Sequence, residues 1–115
     1  MSVRKSEGPP PILRQEVLDR IGGEADFLDE LLELYEEEYR SKIAQMKKAL
    51  AGNKFQTVAE LGHGLKGSSA NLSLPGLREA ALAVETAGKA KNAAAARKGL
   101  EALEREHRRL REYLG

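Results

Sequence analysis

His63 and the residues just after it are the part of this sequence best suited to chemistry. His63 is followed by Lys66 three positions later and by Gly67 four positions later. In a helix these positions share one face, because residues three and four apart are neighbours on its surface. A neutral imidazole is a good nucleophile, since the ordinary pKa of histidine is about 6.5. Lys66 can attract phosphoryl oxygens as a point charge, and the outward-facing glycines at 64 and 67 leave room around the ring. The pattern suits phosphoryl transfer.

Other chemistries fit these residues less well. A Walker phosphate loop needs Gly-x-x-x-x-Gly-Lys-Ser/Thr, whereas here the lysine precedes its glycine. A zinc site needs at least three well-spaced ligands, and the chain has two histidines and no cysteine. A hydrolase triad would need a positioned acid and an oxyanion hole, which Ser68 and Ser69 do not supply by their spacing alone. Paired carboxylates within residues 24–38 can in principle bind a metal, but most lie on the solvated face, so no metal site is predicted.

The segment from residue 60 to residue 72 can be read as a helix or as a glycine-rich loop, and its apolar periodicity favours the helix. Gly62 would face inward there and let a neighbouring helix come near. A glycine inside a helix costs roughly 1 kcal/mol relative to alanine, and close approach by another group is one reason to tolerate that cost.

The run from His63 to Leu72, HGLKGSSANL, resembles the signature of histidine-containing phosphotransfer (HPt) domains. The family form is roughly His-x-Leu-Lys-Gly-Ser-Ser/Ala-x-x-Leu-Gly, and the resemblance extends from about residue 12 to the end of the chain. Three positions depart from it. Gly62 stands where the family usually has alanine, Ser73 replaces the usual glycine, and Pro75 restarts the following helix early. None of these changes removes a reactive group.

The resemblance implies a phosphorelay intermediate without ATP-dependent kinase activity of its own. His63 would accept a phosphoryl group from the aspartyl phosphate of a response-regulator receiver and pass it to another receiver. The implied partners are receiver domains and a hybrid histidine kinase. The chain would bind no cofactor, and the magnesium ion would belong to the receiver. Lys66 would stabilise the phosphate and Gly67 would allow close approach, on a docking surface that also contains Gln56, Ala59, Glu60, Gly64 and Ala70.

The sequence is compatible with two alternatives. The chain could be a docking module that binds a receiver or a kinase without carrying phosphate. It could also be the phosphoacceptor fragment of a histidine kinase, although a sequence that starts at Met1 favours a stand-alone protein.

The composition bounds the class of protein. A chain of 115 residues with 41% hydrophobic residues and 4% aromatics predicts one domain with a core of leucine and alanine. The net charge of +1 gives no general attraction to nucleic acid or to an anionic membrane. No apolar run approaches the ~20 residues that span a bilayer, and no secretory signal is recognisable. We therefore expect a cytoplasmic protein. We also expect it to be a monomer.

The remaining pattern predicts an all-α fold, an antiparallel four-helix bundle with a short extra N-terminal helix. Residues 1–11 read as a flexible tail and residues 12–115 as the bundle domain. Asn53 and Asn92 are predicted N-caps, Pro75 is suited to the first turn of a helix, and Gly88 is expected to close one. His107, on the apolar stripe of the last helix, is expected to have a structural role.

Overall fold

A computed structural model describes residues 9–115, and over that range the regular structure is entirely helical. A short helix is followed by four longer ones, and three-residue connections join consecutive long helices. This confirms the predicted bundle with its extra N-terminal helix. The predicted tail, residues 1–11, lies for the most part outside the described residues. The helices are α1 (Arg14–Arg20), α2 (Ala25–Ala51), α3 (Phe55–Asn71), α4 (Pro75–Lys89) and α5 (Ala93–Leu114).

The helices form because each carries an apolar stripe at helical spacing that the bundle buries. Along α2 the stripe includes two tyrosines, and the rest of the core is mostly aliphatic. Fully burying one large aliphatic side chain is worth about 1.5–3 kcal/mol, so these stripes drive the assembly. Within residues 9–115, no helix has both the length and the apolar character that a membrane span requires. The most completely buried large side chains are Ile12, Leu28, Met46, Leu65, Leu74, Leu77 and Leu103.

The ends of α2, α3 and α4 share one kind of turn, built on a left-handed residue that is not glycine. Asn53, Ser73 and Lys91 have φ of 55°, 56° and 55°. The prediction that Asn53 caps the next helix is wrong, because it closes the preceding one. The amide of Lys54 donates to the carbonyl of Ala49 at 2.8 Å, which is the long hydrogen bond of a Schellman motif. Asparagine tolerates the left-handed conformation better than most residues.

Two other predicted helix boundaries are confirmed. Pro75 occupies the first turn of α4, where its missing amide hydrogen costs nothing. Asn92 caps α5, and its side-chain oxygen accepts the amide hydrogen of Ala95 at 3.0 Å. Such a cap satisfies one of the amide groups that a helix leaves without an internal partner at its start.

Glycines allow α4 to approach both of its neighbours at backbone distance. A Cβ at Gly62 of α3 would lie 2.7 Å from the backbone nitrogen of Glu85, as expected for an inward-facing glycine. A Cβ at Gly88 would lie 2.7 Å from the backbone nitrogen of Ala59. The prediction that Gly88 ends α4 is therefore wrong, because α4 continues to Lys89. Gly88 instead permits close contact with α3. On the other side, a Cβ at Gly99 of α5 would meet a valine side chain at 2.8 Å.

His107 joins α5 to α2, in agreement with its predicted structural role. Its Nε2 lies 2.7 Å from Glu36 Oε1, and its ring stacks on Tyr39 with centroids 3.9 Å apart. Partial burial raises the pKa of Glu36, but hydrogen bonds and charge from His107, with smaller contributions from Arg40 and Arg111, lower it below its ordinary value overall.

Candidate functional site

His63 lies on the outward face of α3, and its side chain is 69% exposed. Its Nδ1 is 2.9 Å from Oε2 of Glu85 on α4. This contact is possible because Gly62, the preceding residue, lets the two helix backbones approach. The ring is therefore held at one nitrogen and open to solvent over most of its remaining surface.

Glu85 is a nearly buried carboxylate, 5% exposed, that collects three cationic or hydrogen-bonding side chains. Lys66 Nζ lies 2.7 Å from Oε1, and Lys89 Nζ lies 3.3 Å from Oε2, the oxygen that also contacts His63. The hydrogen bond from Lys66 lowers the pKa of Glu85 most. Burial opposes that effect, but His63 and Lys89 add to it and the pKa falls to about 2. Glu85 is thus ionised at neutral pH.

The charge on Glu85 determines which nitrogen of His63 carries the proton. An ionised carboxylate only accepts hydrogen bonds, so Nδ1 must be the donor in this contact. In a neutral imidazole the other nitrogen, Nε2, then holds a free lone pair. The arrangement presents Nε2 as a nucleophile on an exposed ring.

Lys66 lies beside His63, as its spacing predicted, but its ammonium is not free in solvent. Its side chain is 29% exposed and its Nζ contacts the same carboxylate as the imidazole. The spacing of residues on α3 predicted no partner for this lysine. The side chains of His63 and Lys66 therefore both contact Glu85, and the three residues form one hydrogen-bonded and ion-paired cluster.

Four of the other residues predicted for the docking surface lie on the exposed face of α3. A Cβ at Gly67 would have no neighbouring atom within 4 Å, so the surface there is open. Ala59 differs, since it is 8% exposed and packs against Gly88. It forms part of the floor of a groove of about 540 Å³ that runs from His63 towards the end of α4. The exposed residues are Gln56, Glu60, Gly67 and Ala70.

The structure corrects the expectation for Gly64, which was to leave open space around the imidazole. The end of the Lys42 side chain, from α2, lies over Gly64, and a Cβ there would be 2.9 Å from its Cε. Lys42 Nζ in turn lies 3.1 Å from Glu38 Oε2. The surface at Gly64, the residue after the histidine, is therefore occupied by a second lysine, which is paired with a second glutamate.

The two serines after the histidine have partners within the bundle. Ser68 Oγ donates to the Glu38 carboxylate, with both oxygens at 2.8 Å. Ser69 is buried, and its hydroxyl lies 2.8 Å from the hydroxyl of Tyr35. Neither hydroxyl contacts His63 in this arrangement, which is not that of a hydrolase triad.

Sequence reasoning missed Glu85 and Lys42 as members of the site. A signal for Glu85 was available, since it lies one turn after Ala81 and one turn before Gly88, both on the buried side of α4. A charged residue in such a place needs a partner. No comparable signal existed for Lys42, because its contact with Gly64 depends on how α2 packs on α3.

Two large apolar side chains of α2 are exposed to solvent. Leu34 is 60% exposed and Phe27 is 45% exposed. A groove of about 430 Å³ beside Leu34 reaches Ser68 and Asn71 of α3. Exposed apolar surface of this kind is typical of sites where another protein binds.

The sequence matches the model of a known protein family. A family model described as the Hpt domain matches residues 30–113, which include α3, α4 and most of α2 and α5. A search of curated proteins finds no match to the chain.

Proposed function

The chain belongs to the Hpt domain family, and we propose that it carries a phosphoryl group between receiver domains with His63 as the acceptor. Membership places it among the phosphotransfer modules of two-component signalling, which interact with receivers and kinases. The observation that carries the more specific proposal is the exposed ring, with Nδ1 held by the ionised, nearly buried Glu85 and Nε2 open.

In the proposed step, the Nε2 lone pair attacks the phosphorus atom of an aspartyl phosphate. A nitrogen–phosphorus bond forms while the bond between phosphorus and the aspartate oxygen breaks, and the aspartate leaves as a carboxylate. The ring becomes positively charged and keeps its proton on Nδ1. Glu85 stabilises that charge at 2.9 Å. The reverse reaction passes the phosphoryl group to the next receiver, so the direction of flow depends on the partners.

Lys66 has two possible anionic partners in this proposal. At rest it contacts Glu85 at 2.7 Å. A phosphoryl group on His63 brings negative charge spread over three oxygens, and a lysine on a flexible stem can rotate towards it. The magnesium ion that assists transfer belongs to the receiver in this scheme. Within this chain, Lys66 supplies the positive charge nearest to the acceptor along α3.

Docking would use the exposed face of α3 around the histidine. Gly67 offers bare backbone next to the ring, and Ala70 continues that face by one turn. On α2, the exposed Leu34 lies beside a groove that reaches Ser68 and Asn71 of α3. A receiver placed over His63 and extending towards α2 could also cover Leu34, which would explain why this large apolar side chain is exposed.

The deciding experiment uses a phosphorylated receiver domain as donor and measures phosphate on this chain. The phosphate should be labile in acid and stable in base, as expected for phosphohistidine. His63→Gln should abolish it, whereas His107→Gln, which changes the chain's other histidine, should leave it in place. If His63→Gln accepts phosphate as well as the wild type does, the acceptor is assigned to the wrong residue.

The same variants separate a relay from a module that only docks. A phosphate carrier whose docking surface is intact should bind the receiver with little change after His63→Gln, yet lose the phosphate. A module that docks without carrying phosphate would acquire none even as the wild type. The second result would end the phosphorelay proposal while keeping the family assignment.

A further inference from the structure

We propose that Lys42 of α2 is a second cation for the phosphoryl group at His63, on the side of the ring opposite Lys66. The inference rests on the proposed function, because it concerns the same histidine. Gly64, the residue immediately after that histidine, has no side chain, and this leaves room for the lysine.

The Lys42 side chain crosses from α2 to the surface of α3. If Gly64 had a Cβ, that atom would be 2.9 Å from Lys42 Cε and 3.7 Å from Lys42 Nζ. The side chain is only 27% exposed, although lysines are among the most exposed residues of proteins. Any larger residue at position 64 would displace the lysine, so glycine there and lysine at 42 form a matched pair.

The two lysines flank the histidine on the surface of α3. At about 100° per residue, Gly64 lies about 100° to one side of His63 and Lys66 lies about 60° to the other. Lys66 is held on the α4 side by Glu85 at 2.7 Å, and Lys42 is held on the α2 side by Glu38 at 3.1 Å. Each lysine thus has one carboxylate partner that it can exchange for a stronger anion.

The resting place of Lys42 is itself anchored to α3. Ser68 Oγ donates to the Glu38 carboxylate at 2.8 Å, so the glutamate that holds Lys42 is fixed from the same helix that carries His63. A transferring phosphoryl group spreads its negative charge over three oxygens, and Lys66 already shares its charge with Glu85. A second ammonium group, on the α2 side of the phosphoryl group, would stabilise the negative charge that Lys66 does not neutralise.

A purely structural role for Lys42, joining α2 to α3 through Glu38, is the competing explanation. The test therefore uses phosphoramidate, a donor too small to need a docking surface. His63 Nε2 attacks its phosphorus atom, the bond between phosphorus and the donor nitrogen breaks, and ammonia leaves. Intact mass spectrometry follows the increase in mass as phosphohistidine forms.

Three variants separate charge from packing. Lys42→Met keeps an unbranched apolar chain over Gly64 and removes the charge, and Lys42→Arg restores the charge. Lys47→Met is the matched control, because Lys47 lies on the same helix, 57% exposed, and pairs at 3.0 Å with Glu104 of α5. Urea unfolding of each variant establishes that the reaction is measured on folded protein.

We expect Lys42→Met to slow phosphohistidine formation roughly three- to tenfold, as suits one charge acting across a solvated site. Lys42→Arg should stay within about twofold of the wild type, and Lys47→Met should match it. The deficit of Lys42→Met should shrink in about 1 M salt, where the screening length falls to about 3 Å.

Three outcomes would overturn the inference: a wild-type rate for Lys42→Met, an arginine variant as slow as the methionine variant, or a deficit that salt does not reduce. Its failure can be told apart from failure of the proposed function. Loss of phosphate in His63→Gln together with a wild-type rate in Lys42→Met would remove only the role of Lys42.

Discussion

Replacing Gly62 with alanine should destabilise the bundle relative to the same replacement at Gly67. Both glycines lie inside α3. In a helix interior, alanine is more favourable than glycine by about 1 kcal/mol, and this gain applies at either position. Their surroundings differ. A Cβ at Gly62 would lie 2.7 Å from the backbone nitrogen of Glu85 and 3.0 Å from the carbonyl oxygen of Ala81, whereas at Gly67 no atom lies within 4 Å.

The size of the difference follows from which atoms would have to move. Backbone atoms of α4 cannot rotate away from a methyl group at residue 62, so α3 and α4 must separate. Overpacking of this kind typically costs about 1–3 kcal/mol. Gly67→Ala should gain about 1 kcal/mol, and Gly62→Ala should fall between no change and a loss of about 2 kcal/mol. The helix term cancels between the two variants, which leaves a packing difference of about 1–3 kcal/mol.

Urea unfolding followed by helical circular dichroism measures this difference directly. For a domain of this size, it corresponds to about 4–12 °C between the two melting temperatures. Phosphate acceptance gives a second readout, because separating α3 from α4 also lengthens the contact between His63 and Glu85. If Gly62→Ala gains as much stability as Gly67→Ala, the helices are not in backbone contact and this account of the site geometry is wrong.

Three further predictions concern stability and charge. Asn92→Ala should lower the free energy of unfolding by about 1 kcal/mol, because the Ala95 amide loses its acceptor; an unchanged urea midpoint would contradict this. Because the pKa of Glu85 is about 2 in the folded protein and 4.5 ordinarily, the unfolded chain binds the proton first as pH falls. The stability from this group is complete above pH 4.5 and is lost towards pH 2, and acid titration of Glu85→Gln should show a flatter loss over that window than the wild type. His107→Ala should cost roughly 1–3 kcal/mol and raise the pKa of Glu36, where burial would no longer be opposed by the His107 hydrogen bond; a carboxyl NMR titration that finds no rise would count against the pairing.

The helices could be predicted because the sequence repeats apolar residues at the helical period and interrupts them with recognisable breaks. Pro75 and Asn92 each act within a single helical turn, so their roles can be predicted from the neighbouring residues in the sequence. The prediction that Asn53 caps α3 was wrong because its residue type is ambiguous. Asparagine is common both as the N-cap of a helix and in the left-handed conformation that ends one. Which role it has depends on whether its amide donates a hydrogen bond to a carbonyl of the preceding helix.

The site was only half predictable for a related reason. His63 and Lys66 lie on one helix, so their spacing alone places them together. Glu85 meets them only because α3 and α4 pack in one register, set by the glycines at 62 and 88. Sequence periodicity says that Glu85 borders the buried side of its helix, but the partner it faces is a tertiary contact that periodicity does not encode.

The glycines at the contacts of α4 with α3 and α5 have a consequence for the phosphorylated state that we propose. A helix that touches its neighbours through main-chain atoms at Gly62, Gly88 and Gly99 has little freedom to slide or tilt. Glu85 is therefore presented from a rigid support, while its lysine partners have long and flexible stems. We expect the adjustment to an added phosphate to be confined to those lysines, so that amide hydrogen exchange along α4 is the same before and after the histidine is loaded.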